Sequence, residues 1–317
     1  MRALLYNYRQ KALVSFLLMG GTILTPSPSL PLSPPLPLSP SPPPSLLAQY
    51  LRNQSATDWL NQGLQAIQTG RMQEGVTAFQ QAIQLDPNLA PAHYNLGLAL
   101  RQMGQLQPAA DAFYNATRAD PKFALAFANL GGALLEGNNF QLANDYLQKA
   151  LEIDSKLGVA HYNMGLLQEQ QRDCERAIAS FKKAMEYSKN APEPAYHLGT
   201  CYLQQGKLDK AKDAFRKAVK INPKYSEAYY NLGSILFNQG KLSDALESFR
   251  KSAEANTNYP NAYYGAGLVF MRQQQFGQAV QVLQYARDLY NAQGNSQWAS
   301  YTEQLLQQAQ NMNFPPR

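Results

Sequence analysis

The chain has 317 residues, a formal net charge of +6 and two cysteines, with 45% apolar and 16% charged residues. That charged fraction is below the roughly 25% usual for soluble domains, which argues against a nucleic-acid binder built on phosphate contacts. Two cysteines and three histidines exclude a disulfide framework and a four-thiolate zinc site. No metal, cofactor or small-molecule substrate is expected.

The N-terminus carries Arg2, Arg9 and Lys11, followed by the apolar run Ala12–Leu24. This is the layout of an export signal, and thirteen residues fall short of the ~20 that span a bilayer as a helix. Residues 1–25 are therefore read as a signal peptide and the protein as exported, to a periplasm, a lumen or the exterior. Ala48 offers the nearest small-residue cleavage site. Uncleaved, the same run would bring the N-terminus to a membrane as a tether. Pro26 to Pro44 holds ten of the twenty prolines, so residues 26–48 are expected to form an extended, unpacked linker.

From Ala56 the sequence falls into seven 34-residue units without insertion or deletion, starting at Ala56, Ala90, Ala124, Gly158, Pro192, Ser226 and Pro260. The eighth place is always glycine: Gly63, Gly97, Gly131, Gly165, Gly199, Gly233 and Gly267. At about 7% background glycine the chance of that column is on the order of 10⁻⁸. The twentieth and twenty-seventh places are small, and the twenty-fourth is Phe or Leu. Small residues let two helices approach, the large one fills the space beside them, and an Asp-Pro or Asn-Pro ends the second helix. Such a hairpin cannot cover its own apolar face, so the units must stack. Where Ser155, Lys189, Thr257 and Asn291 replace the closing proline, softer turns are expected. Ser55–Asp58 has the spacing of a capping box for the first helix. At the other end, Trp298, Tyr301, Leu305, Ala309 and Met312 form a helical stripe that would close the last unit.

Segments such as AHYNLGLALRQMGQLQPAADAFYNATRADP and AYYNLGSILFNQGKLSDALESFRKSAEAN resemble the tetratricopeptide repeat. The resemblance covers residues 56–293 and implies an all-α, right-handed α-solenoid of seven helix–turn–helix units, with a capping helix over 294–312. It implies a protein or peptide partner, rather than nucleic acid.

No catalytic spacing recurs along the repeats, which are read as non-catalytic. His93 and His161 stand where other units have aromatic residues, and are read as packing residues. Cys174 and Cys201 replace core apolar residues and are read as buried thiols, with a disulfide as the open alternative. Lys207, Lys210, Lys212, Arg216, Lys217, Lys220 and Lys224 make the fifth unit basic, chiefly on its second helix.

In a 3.6-residue helix, places two, six, nine and thirteen of each unit point away from the buried side. Place six reads Asn61, Asn95, Asn129, Asn163, His197, Asn231 and Gly265. Place nine adds Leu64, Leu98 and Leu166, and place five adds Tyr94, Tyr162, Tyr196 and Tyr230. An asparagine amide both donates and accepts, as a peptide backbone requires. The ladder resembles the inner lining of the superhelix of O-linked N-acetylglucosamine transferase, which implies an extended peptide held by its backbone along a concave groove. The competing reading is that these asparagines settle helix–helix contacts. Repeat domains of this kind that clamp a terminal carboxylate use Lys or Arg at place five, where this chain mostly has Tyr. The expected function is a protein-binding scaffold. The alternative is an assembly factor docking on a membrane complex through convex or terminal surfaces.

Overall fold

A computed structural model describes residues 44–313, which are all-α, with fifteen helices and no strand among them. The signal segment 1–25 and residues 26–43 of the linker lie outside the described residues. The repeats supply seven helix pairs: α1 (Pro44–Gln68) with α2 (Met72–Leu85), α3 (Ala90–Gln102) with α4 (Leu106–Ala119), α5 (Ala124–Glu136) with α6 (Phe140–Ile153), and α7 (Gly158–Gln170) with α8 (Cys174–Tyr187). They continue as α9 (Glu193–Gln204) with α10 (Leu208–Ile221), α11 (Ser226–Asn238) with α12 (Leu242–Ala255), and α13 (Pro260–Arg272) with α14 (Phe276–Ala292). Helix α15 (Ser296–Asn313) ends the chain's described part. The residues fall into two compact units that divide between Lys189 and Asn190. The first holds α1–α8 and the second α9–α15.

The glycine column has one cause in all seven repeats. A Cβ added to Gly63, Gly97, Gly165, Gly199 or Gly233 would lie 2.4–2.7 Å from the ring of the phenylalanine sixteen residues on. At Gly131 and Gly267 the obstacle is Leu147 or Leu283, at 2.6 and 2.5 Å. These large side chains are at most 2% exposed, so they cannot swing aside. Beside them, Ala109, Ala143, Ala177, Ala211, Ala245 and Ala279 are fully buried, as are Ala82, Ala116, Ala150, Ala184, Ala218, Ser252 and Ala286. Cys174 and Cys201 are both buried as thiols.

Each hairpin turn places one residue in the left-handed region. Gly70, Gly104, Gly206 and Gly240 hold it with φ of 72–77°. Asn138, Arg172 and Gln274 hold the same place at φ 61°, 63° and 60°. For a side chain with a Cβ this costs roughly 1–2 kcal/mol, and Asn bears it more readily than most, so the strain falls chiefly on the repeats with Arg172 and Gln274.

Where Ser155 and Thr257 replace the closing proline, the turn keeps the bond it has beside proline, whereas Asn291 lies inside α14. An Asp or Asn side chain accepts the backbone N–H two residues on, at 3.0 Å from Asp86, 2.9 Å from Asp120 and 2.9 Å from Asn222. The same bond forms from Asp154, before Ser155, at 2.9 Å, and from Asn256, before Thr257, at 3.0 Å. The Asx side chain, not the proline, holds the turn. At the fourth repeat this place is Ser188, followed by Lys189, and there the two compact units divide.

Both ends differ from the expected ones. Helix α1 begins at Pro44, within the expected linker, and runs through Ser55–Asp58, so that tetrad is helix interior and not a cap. Proline suits the first helical turn, and Leu46–Arg52 favour helix. In α15 the buried stripe is Ala299, Thr302, Leu306 and Ala309, while Tyr301 and Met312 are 47% and 49% exposed. The small residues Ala299 and Thr302 let α15 approach α14 more closely than a Tyr301-centred stripe would. Trp298 remains half-buried, stacked on Tyr290 at 6.0 Å.

Two predictions follow from the backbone and the glycine column. Gly165→Ala should cost about 1–3 kcal/mol, because the Phe181 ring cannot yield. Gln274→Gly should raise stability by up to about 1 kcal/mol by relieving the turn. Urea unfolding of each variant checks both; equal midpoints for Gly165→Ala and the parent would contradict the first, and a lowered midpoint for Gln274→Gly the second.

Candidate functional site

The place-six asparagines are positioned by the middle turns of the first helices, and most of them are bonded to the stack. In the first compact unit, Asn129 Nδ2 donates to Tyr94 Oη of the preceding repeat at 3.3 Å and to Leu125 O at 3.0 Å. Asn163 Nδ2 donates to Ala128 O of the preceding repeat at 3.0 Å. Asn95 Nδ2 turns to Pro91 O of its own helix at 2.8 Å. In the second unit, Asn231 Nδ2 reaches Tyr196 Oη at 3.4 Å. The cross-repeat bonds all span 35 residues, one repeat plus one place, so place six reaches back to place five of the repeat before.

The partner varies with the residue at place five. A tyrosine there offers its hydroxyl, as Tyr94 and Tyr196 do. Ala128 offers only its carbonyl, and Asn163 takes that instead. Opposite Leu60, Asn95 bonds within its own helix. Gly265 breaks the row in the last repeat because the Phe249 ring occupies its side: a Cβ there would meet the ring at 2.5 Å.

The tyrosines and leucines assigned to the groove are packing residues. Tyr94, Tyr162 and Tyr196 are 0%, 1% and 6% exposed, and Tyr230 is half-buried. Their rings lie 5.8, 6.1, 5.7 and 5.7 Å from Phe113, Phe181, Phe215 and Phe249 of the same repeats. Burial raises the Tyr94 hydroxyl well above the ordinary phenol range, opposed by the Arg101 charge and the Asn129 bond. Leu64, Leu98 and Leu166, read as facing outward, are buried at 5%, 9% and 4% exposure. Their large apolar side chains pack between repeats, which the 100° helical wheel of one helix alone does not show.

Other polar side chains serve the same joints. The ring N–H at Nε2 of His93 donates to Pro87 O at 2.9 Å, and that of His161 to Ser155 O at 2.9 Å, each tying a repeat to the turn before it. Arg101 of α3 and Glu136 of α5 form an ion pair with side chains 6% and 11% exposed. In the second unit, Arg272 Nη1 donates to Phe237 O at 3.2 Å and Gln293 Nε2 to Asn258 O at 2.7 Å, again 35 residues apart. Burial raises the Glu193 carboxyl at place two of the fifth repeat, opposed by a bond from its own backbone N–H and then by the His197 charge.

The inner row still has something to offer. Asn95, Asn129 and Asn163 are buried, at 3%, 4% and 3% exposure, and among the described residues no hydrogen bond ends on their carboxamide oxygens. Asn61, at the open start of the row, is exposed. The nitrogen of each bonded amide fixes the side chain, and the oxygen is the free end. No group of three or more His, Cys, Asp and Glu side chains that could hold a metal occurs among the described residues. No described helix is long and apolar enough to cross a membrane.

Helix pairs recurring every 34 residues, close-packed at a glycine and linked by bonds 35 residues apart, define a helical-repeat protein. Family models of the tetratricopeptide repeat match residues 63–104, 199–240 and 233–274, a second such model matches 94–157 and a third 159–190. The chain belongs to the tetratricopeptide repeat family. A comparison with curated proteins gives no match. Among solved structures, the chain resembles the Cut9–Hcn1 hetero-tetramer of APC/C at 19% identity and TM-score 0.62, over 70% of this chain and 45% of that one. It thus spans less than half of that protein's length. It also resembles PilF of Pseudomonas aeruginosa at 17% identity and TM-score 0.58, over 67% of this chain and 96% of that one. A tetratricopeptide repeat protein of Parabacteroides merdae aligns at 19% identity and TM-score 0.56, over 81% and 100%. At these identities the likeness is one of fold. Proteins of this family are generally non-catalytic scaffolds that bind protein or peptide partners.

If the Tyr94–Asn129 bond holds the repeats together, Asn129→Ala and Tyr94→Phe should each lower stability by about 1 kcal/mol. The double variant should lose less than the two added, because one bond is removed twice. Urea unfolding of the four proteins checks this; strictly additive losses would contradict a shared bond.

Proposed function

We propose that the chain is a non-catalytic protein-binding scaffold whose inner face holds an extended polypeptide by its backbone. The row of unpaired carboxamide oxygens at Asn95, Asn129 and Asn163 carries this reading. Their amide nitrogens are held by the neighbouring repeat at Asn129 and Asn163, and at Asn95 by its own helix, so the acceptors are fixed before any ligand arrives, and little side-chain entropy is lost on binding. Each oxygen is suited to one backbone N–H of the ligand. Three repeats at about 10 Å per step span roughly 20 Å, the length of about six extended residues. The polypeptide is therefore read through every third amide, with its side chains secondary. The exported location suggested by the N-terminal segment would make that partner an exported protein or the exposed segment of a membrane protein.

The test leaves the protein unaltered. Peptides selected from a randomised library on the immobilised full chain are resynthesised with one N-methylated amide at a time. Methylation of an amide that meets an oxygen should weaken binding about fivefold, the worth of roughly 1 kcal/mol. The sensitive amides should recur at intervals of three, and alanine substitution of the ligand should matter less. Binding indifferent to N-methylation and governed by ligand side chains would refute the backbone reading.

A further inference from the structure

The outer surface of α10 has a charge character that the other described residues, taken together, do not share. Residues 44–313 contain twenty-four Lys and Arg against twenty-two Asp and Glu, close to balance. Within 207–224 the ratio is seven to two, so everything else described is slightly acidic. Helix α10 buries Ala211, Ala214, Phe215 and Ala218 on one side. Lys210, Lys217 and Lys220 are exposed on the other, and Lys207 and Lys224, just beyond its two ends, are exposed as well. Only Lys212 and Arg216 find carboxylates, Asp209 at 2.8 Å and Asp213 at 3.4 Å. The five exposed lysines form no ion pair among the described residues. Lys210 lies 5.9 Å above the Tyr202 ring. On α12 the comparable basic residues are already matched: Arg250 pairs with Glu247 and Glu254, and Lys251 with Glu247.

Like charges so placed repel one another and destabilise the surface that carries them, so an anionic partner relieves a standing cost. We propose that this lysine strip docks the second compact unit onto an anionic lipid bilayer. The composition separates a bilayer from an acidic peptide. Six of the seven bases are Lys, compact point charges suited to a diffuse headgroup field, whereas carboxylates recognised one by one favour the Arg fork. The strip runs along the outer side of one helix, opposite the face that packs in its hairpin, where a broad surface meets it more readily than a threaded chain. The sequence adds a second element of the same preference, the apolar run 12–24 flanked by Arg9 and Lys11. Either element alone gives weak, reversible attachment, and stable anchoring takes two such signals.

Sedimentation of the full chain with vesicles tests this, using phosphatidylcholine with or without phosphatidylglycerol. Each lysine near an anionic surface is worth about fivefold in partitioning at low salt. The native chain should prefer the phosphatidylglycerol vesicles, and raised salt should erase the preference. The triple variant Lys210→Glu, Lys217→Glu, Lys220→Glu should lose it by a hundredfold or more with unchanged melting, while the same three positions changed to Arg should keep it. Residual binding to neutral vesicles reports the N-terminal run and is common to all forms. The proposal fails if the native chain shows no preference for phosphatidylglycerol, if the preference survives charge reversal, or if soluble polyglutamate binds the strip while vesicles do not.

Discussion

The structure depends on a contact that leaves no room for a single methyl group. In every repeat the first helix passes over a large buried side chain of the second at the eighth-place glycine, and any Cβ there would overlap it. That approach brings the fully buried alanines of the second helix against the first, and so fixes the width of the hairpin. Once seven hairpins share one width, the polar links between them can share one spacing. Hence the recurrence of bonds 35 residues apart, made by asparagine, arginine or glutamine as the local partner allows.

The same geometry explains why polar residues are tolerated in a largely apolar interior. A buried amide or guanidinium costs free energy unless it is bonded, and here the bonds go to the neighbouring repeat. Asn129, Asn163, His93 and Arg101 each join one hairpin to another, within a compact unit, through groups that an apolar side chain would not provide. They fix the stacking register, since a slip by one place would orphan every one of them. Apolar packing supplies the bulk of the stability, and these bonds select one arrangement from those that packing permits. The carboxamide oxygens of Asn95, Asn129 and Asn163 are the part of these joints that no hydrogen bond within the stack uses.

Much of this was legible in the sequence. The glycine, alanine and phenylalanine columns are periodic, and periodicity survives any ignorance of the third dimension. The all-α repeat class and the pairing of helices followed from them. The left-handed turn place escaped notice because Arg172 and Gln274 interrupt an otherwise Gly and Asn column, and side-chain type alone does not reveal φ. The groove assignment failed for Tyr94, Leu98 and Leu166 because a helical wheel treats one helix, whereas in a stack the neighbouring repeat covers part of the outward arc. The link from place five to place six was visible as Tyr94 with Asn129 and Tyr196 with Asn231, but only at an interval of 35 and not of 34. The true start of α1 was hidden by the expectation that prolines extend as far as Pro44, although that last one suits a helix N-terminus.

The central claim concerns the glycine contact, and nuclear Overhauser effects measure it without altering the protein. With the chain isotopically labelled, the α-protons of Gly63, Gly97, Gly165, Gly199 and Gly233 should show cross-peaks to ring protons of the phenylalanine sixteen residues on. Gly131 and Gly267 should show them instead to the methyl groups of Leu147 and Leu283. Seven glycines meeting those seven side chains is the predicted result. Glycine α-protons that meet other residues, or none, would contradict the account at its base.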